Sequence, residues 1–106
     1  MNALLIATDQ SLSVILRDQV TEAYINDATV TARVLNMMDE EVTGEDWPLS
    51  MPYQTDSDGL YIGELPDSLE LELGRRYWVE IKAYQGLELL KTWRELMPAR
   101  YQNFSE

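Results

Sequence analysis

The chain has 106 residues, enough for one domain and too few for two ordinary ones. It contains no cysteine and no histidine, which excludes disulfides, thiol nucleophiles and thiolate metal sites and removes the commonest general base. Against 8 basic residues stand 19 acidic ones, for a formal net charge of −11. Such a surface repels nucleic acid and anionic membranes and suits a basic partner, a cation or simple solubility.

The opening run Met1–Ala7 has no basic flank and is too short an apolar stretch for a signal peptide. Ala3–Ala7 and Ser11–Leu16 read as strands, with Leu12, Val14 and Leu16 on one side of the second. Asp18–Asp27 is polar and rich in turn residues. Ala28–Asn36 carries the clearest alternation, Ala28, Val30, Ala32 and Val34 against Thr29, Thr31, Arg33 and Leu35, which a helix would not gather on one stripe. Met37–Pro48 is an acidic loop around Gly44. Leu49, Met51 and Tyr53 alternate again, and Pro48 and Pro52 assign that strand to a sheet edge.

Asp56-Ser57-Asp58-Gly59 is a turn, followed by a strand over Leu60–Leu65 that Pro66 closes. Leu69, Leu71 and Leu73 alternate with Ser68, Glu70 and Glu72 up to Gly74. In Tyr77–Tyr84, the residues Tyr77, Val79, Ile81 and Ala83 share one face and Trp78, Glu80 and Lys82 the other. Residues 87–97 fit a helical stripe (Leu87, Leu90, Trp93, Met97) about as well as a strand (Leu87, Leu89, Trp93). The short Gln85-Gly86 turn decides for a closing hairpin. The chain is expected to be loosely ordered from about residue 99. These elements predict a single all-β domain, a two-sheet sandwich of about seven strands.

Three stretches in order carry a resemblance: Asn26–Ala32 (NDATVTA), Asp58–Pro66 (DGLYIGELP) and Leu73–Ala83 (LGRRYWVEIKA). Together they resemble small immunoglobulin-like or fibronectin-type sandwich proteins encoded in bacteriophage and prophage genomes. The resemblance runs from about Ser11 to Arg100 and departs at the acidic loop from Met37 to Asp46. It implies an Ig-like β-sandwich and a non-catalytic structural or accessory protein, a head–tail or tail component of a virion. Its partners would be other virion proteins or further copies of itself, and its location the virion or the bacterial cytoplasm. The fold alone assigns no task.

Candidate sites follow from residue chemistry. Asp56 and Asp58 before Gly59 supply part of a calcium loop, but further ligands and the terminal bidentate Glu are missing, and an Asp-rich turn accounts for them more simply. Asp39, Glu40 and Glu41 form an acidic cluster that either docks a basic partner or is a solvated loop. Trp47 beside it is either a contact anchor or a lid folded onto the core. Trp78 points outward if Tyr77 points inward, where it suits sugar stacking or a subunit contact. Trp93 is the third aromatic of this kind. No nucleophile motif, phosphate loop or dinucleotide fingerprint is present, no cofactor is implied, and the remaining carboxylates, two lysines, tyrosines and hydroxyls point away from an enzyme. Two other functions fit the composition. One is a carbohydrate-binding module built on exposed Trp. The other is an acidic DNA mimic that blocks a host protein, against which the scatter of carboxylates over several segments argues.

Overall fold

The computed structural model describes residues 3–101, which form seven strands. These are β1 (Leu4–Ile6), β2 (Gln10–Ile15), β3 (Thr29–Leu35), β4 (Leu49–Ser50), β5 (Leu60–Leu65), β6 (Arg76–Gln85) and β7 (Glu88–Tyr101). No helix occurs among the described residues. Five strands make one sheet in the order β1-β7-β6-β3-β4, and β2 and β5 make a second. The fold is all-β, as the alternating patterns predict, and residues 88–101 are strand rather than helix.

β6 is the central strand of the larger sheet. Its alternation buries Tyr77, Val79, Ile81 and Ala83, which face Val34, Ala32 and Val30 of β3 along the antiparallel ladder. The second sheet contributes Leu12, Tyr61 and Leu65 to the same core. β6 and β7 form a long hairpin, antiparallel from Arg76↔Pro98 to Gln85↔Glu88. One bulge interrupts it: Ala83 faces Lys91 while Tyr84 faces Leu89, so Leu90 is an extra residue. A bulge exchanges the two sides of the strand beyond it. Leu89 therefore shares the outward side of Tyr84, while Trp93, opposite Ile81, turns to the core side. Strict alternation through Leu87, Leu89 and Trp93 does not hold for this reason.

The two sheets are joined unequally along their flanks. On one flank the chain pairs first with β3 as β4, then crosses to β5: Met51 N–H donates to Val30 O, Gln54 N–H to Leu60 O, and Ile62 N–H to Pro52 O. This crossing brings backbone against β5 at Gly63, where a Cβ would stand 2.6 Å from Met51 Cγ and 3.1 Å from Ser50 O. On the other flank β1 alone among the described residues spans the layers. It pairs parallel with the end of β7 at Ala99–Tyr101, and the Gln10 side chain bonds back to Leu5 N–H and Ala3 O. β4 lies at the sheet edge, where its prolines place it.

One expectation is corrected. Leu69–Leu73 is not a strand: Glu70 N–H reaches Thr43 O, but Leu71 N–H turns back to Leu69 O, a three-residue turn that breaks any ladder. Leu69 is nonetheless buried, and Leu73 is exposed. β7 runs past residue 99, because β1 supplies a partner for Ala99, Arg100 and Tyr101 and Ala99 is buried. The rest of the expected loose tail lies outside the described residues.

Tyr61 ties the segment before β3 to the core. Its ring is fully buried, its hydroxyl donates to Ile25 O at 2.8 Å, and it accepts from Ala28 N–H at 3.0 Å. Burial, the largest cause, pushes its pKa above the usual tyrosine range. The folded state therefore favours the neutral phenol. This contribution is complete below the unfolded value near ~10 and is lost as pH rises through the folded pKa. Tyr61→Phe is expected to lower stability by about 1–3 kcal/mol, since it leaves two backbone groups without their partner. It should also flatten the alkaline fall in stability above pH ~10, which urea unfolding at a series of pH values would measure.

Candidate functional site

The outward face of the five-stranded sheet is built by β3, β6 and β7. Antiparallel register sets Arg33 opposite Glu80 and Glu80 opposite Arg94. Arg33 donates through Nε and Nη2 to Glu80 Oε1 at 3.2 and 2.5 Å, and its Nη1 lies 3.5 Å from Glu41 Oε2. Lys82 Nζ is 3.9 Å from the same Glu80 oxygen. Donation to the Glu80 carboxylate, then the charge of Glu80 and the contact with Glu41, raises the Arg33 pKa above its ordinary value, against the opposing effect of burial. Glu80 is only 8% exposed, so the pair is an internal part of the sheet face rather than a loose surface contact. A cavity of about 480 Å³ opens over it, lined by Thr31, Arg33, Glu80, Lys82, Tyr84 and Pro48 among others.

Trp78 lies on this outward face, half-buried, with Arg94 Cζ 4.5 Å above its ring. Arg94 also donates to Asp39 Oδ1 at 2.6 Å. One arginine thus links the acidic loop to the tryptophan face. The loop is shaped by Asn36, whose Oδ1 accepts from Met38 N–H and Glu40 N–H and whose Nδ2 donates to Glu40. Asp39, Glu40 and Glu41 therefore have three different partners, Arg94, Asn36 and Arg33, and do not converge on one point.

The other tryptophans lie elsewhere. Trp47 packs against the core and its Nε1–H donates to Val42 O at 2.7 Å, the lid arrangement of the two the sequence offers. Trp93 sits on the core side of β7, partly buried, with Lys91 Nζ 5.0 Å from its ring centre. The three rings form no common platform. Asp56 and Asp58 are exposed, and their turn is held by other groups: Tyr53 and Leu60 bond to Ser57, and Gly59 N–H donates to Asn26 Oδ1. Among the described residues no group of three or more carboxylates is placed to hold a metal ion.

The remaining feature is an open edge. β1 pairs with β7 only at Ala99–Tyr101, and among the described residues no strand pairs with the outer edge of β7 from Glu88 to Pro98. Among the described residues no strand pairs with the outer edge of β2 on the same flank. Between the two lies a cavity of about 320 Å³ lined by Leu12, Val14, Trp93 and Met97 among others. At the turn end, Leu87 is fully exposed and Leu89 largely so.

Arg94 and the Arg33–Glu80 pair are missed by residue-type reasoning, because nothing in their local sequence marks them. The hairpin register would find them once the bulge is placed. Comparison with protein-family models, curated proteins and solved structures finds no match.

Arg94→Ala is expected to expose the upper face of Trp78 and release Asp39. Tryptophan emission should shift to the red, while stability falls by no more than about 1.5 kcal/mol, since the pair is partly solvated. Asp39→Asn should leave the emission nearly unchanged. Fluorescence spectra and urea titration of both variants check this.

Proposed function

We propose that this chain is an immunoglobulin-like sandwich domain that serves a bacteriophage or prophage as a non-catalytic structural or accessory subunit, acting through protein–protein contacts. The observation that carries the reading is the open edge of β7 from Glu88 to Pro98. Unpaired N–H and C=O groups along such an edge are a template on which another chain can add a strand. The exposed Leu87 and Leu89 at its turn end extend the contact surface.

The Ig-like assignment is supported by strand order. β3, β6 and β7 correspond to strands C, F and G, and β4 to C′. β2 and β5 correspond to B and E, with the crossing segment after β4 bonded to β5 where strand D would lie. It is supported too by Tyr77 at the start of β6, whose hydroxyl accepts from Glu72 N–H at 2.9 Å. That bond resembles the tyrosine corner of such sandwiches. Two residues on, where antibody domains carry a cysteine, stands the buried Val79. The phage setting rests on the resemblance of the NDATVTA, DGLYIGELP and LGRRYWVEIKA stretches.

A glycan panel is expected to leave tryptophan emission unchanged, at low and at high salt. An emission shift that saturates with one glycan would overturn the reading in favour of a sugar-binding module. Salt-sensitive capture of a DNA-binding host protein would overturn it in favour of a DNA mimic.

A further inference from the structure

We infer that the occupant of the open β7 edge is a second copy of this chain, the two β7 strands pairing antiparallel about a dyad at Trp93 so that Lys91 of each copy faces Glu95 of the other. This deepens the protein-contact reading above and rests on it.

The register follows from charge. In a two-fold antiparallel pair the dyad passes through a residue that faces its own copy, and facing residues share one side of the sheet. A dyad at Lys91, Arg94 or Glu95 sets like charges face to face, which destabilises the pair. A dyad at Thr92 leaves Glu95 opposite Leu89, and one at Leu96 leaves it opposite Met97. A dyad at Trp93 sets Lys91 opposite Glu95 twice, Thr92 opposite Arg94 twice, and the two Trp93 rings against each other. Lys91 already lies beside the Trp93 ring, so the ion pairs would flank the aromatic pair directly.

Space and net charge agree. The bulge at Leu90 and the start of β1 pairing at Ala99 bound a regular open stretch, and Lys91–Glu95 falls wholly within it. A net charge of −11 opposes self-association in general. β7, however, carries three basic residues (Lys91, Arg94, Arg100) against two acidic ones (Glu88, Glu95), so the acidic excess of the chain does not lie on this strand. Trp93 borders the cavity between β2 and β7, and the second copy's strand would cover its mouth.

Charge exchange tests this directly. The wild-type chain is expected at twice its 12.2 kDa mass. Lys91→Glu and Glu95→Lys should each weaken association about tenfold or more, because each sets two like-charge pairs across the dyad. The double variant should restore it. Trp93→Cys gives a second readout. The chain has no other cysteine, and facing residues of an antiparallel pair lie within disulfide reach, so mild oxidation should link two copies through residue 93. A wild-type monomer overturns this pairing. So does a dimer that ignores both single charge variants and fails to cross-link. Either result leaves the wider protein-contact reading standing, since that reading falls instead on a glycan response or on capture of a DNA-binding protein.

Discussion

In an antiparallel pair, facing residues project from the same side of the sheet, so one residue added to one strand exchanges the two sides beyond it. Leu90 is that residue in β7, and the placement of almost every feature of the candidate surface depends on it. Counting back from the turn pair Gln85↔Glu88 without it would set Trp78 opposite Glu95 and Ile81 opposite Thr92. The bulge sets them opposite Leu96 and Trp93 instead. It thereby turns Trp93 to the core side and leaves Arg94 outward, where it reaches both Trp78 and Asp39. Leu90 itself packs against the core, which gives the extra residue a reason to stay buried rather than slip out of register.

The two flanks show how a core of this size is closed with little chain. On the β4 flank, one continuous segment bonds to β3 and then to β5, and the close approach at Gly63 lets it lie tight against the second sheet. Tyr61 fixes the loop that leads into β3 by two hydrogen bonds from one buried hydroxyl. On the β1 flank, three residues and one glutamine side chain make the link, and it reaches only the last residues of β7. A layer of two strands cannot cover a sheet of five. The uncovered part falls along β7, where Trp93 and Met97 border the cavity.

Much of this was legible in the sequence where burial on one face imposes a period of two. β3 and β6 were readable because Val30, Ala32 and Val34, and Tyr77, Val79, Ile81 and Ala83, answer to a single core. The same rule failed at Leu69–Leu73. Leu69 is buried, but the Leu71-to-Leu69 hydrogen bond curls the chain, so an alternating pattern there records one buried contact rather than a ladder. It failed again across Leu89–Trp93, because a bulge has no residue-type signature in an otherwise plausible strand. The candidate site was less legible still. Trp47, Trp78 and Trp93 are alike in composition and were separated only by register and by the hydrogen bond from Trp47 to Val42. Arg33, Glu80 and Arg94 come together across three strands, and only a known pairing register could align them.

The edges of the larger sheet are treated in opposite ways. β4 is two residues long and has Pro48 just before it and Pro52 soon after, so it offers an approaching strand almost no unpaired backbone. β7 runs for 14 residues, and its one proline, Pro98, comes next to Ala99, where β1 takes over the pairing. Lysine and a bulge are also means by which natural edges discourage indiscriminate pairing, and β7 has both, at Lys91 and Leu90. Placed on an otherwise open edge, they select rather than forbid. In the proposed pairing the bulge restricts regular pairing to the stretch after it, and Lys91 favours the register that brings a carboxylate opposite. Glu95 supplies that carboxylate at the spacing a dyad on Trp93 requires. The proposed self-pairing is thereby favoured over its neighbouring registers, as a specific contact needs and an unguarded edge does not provide.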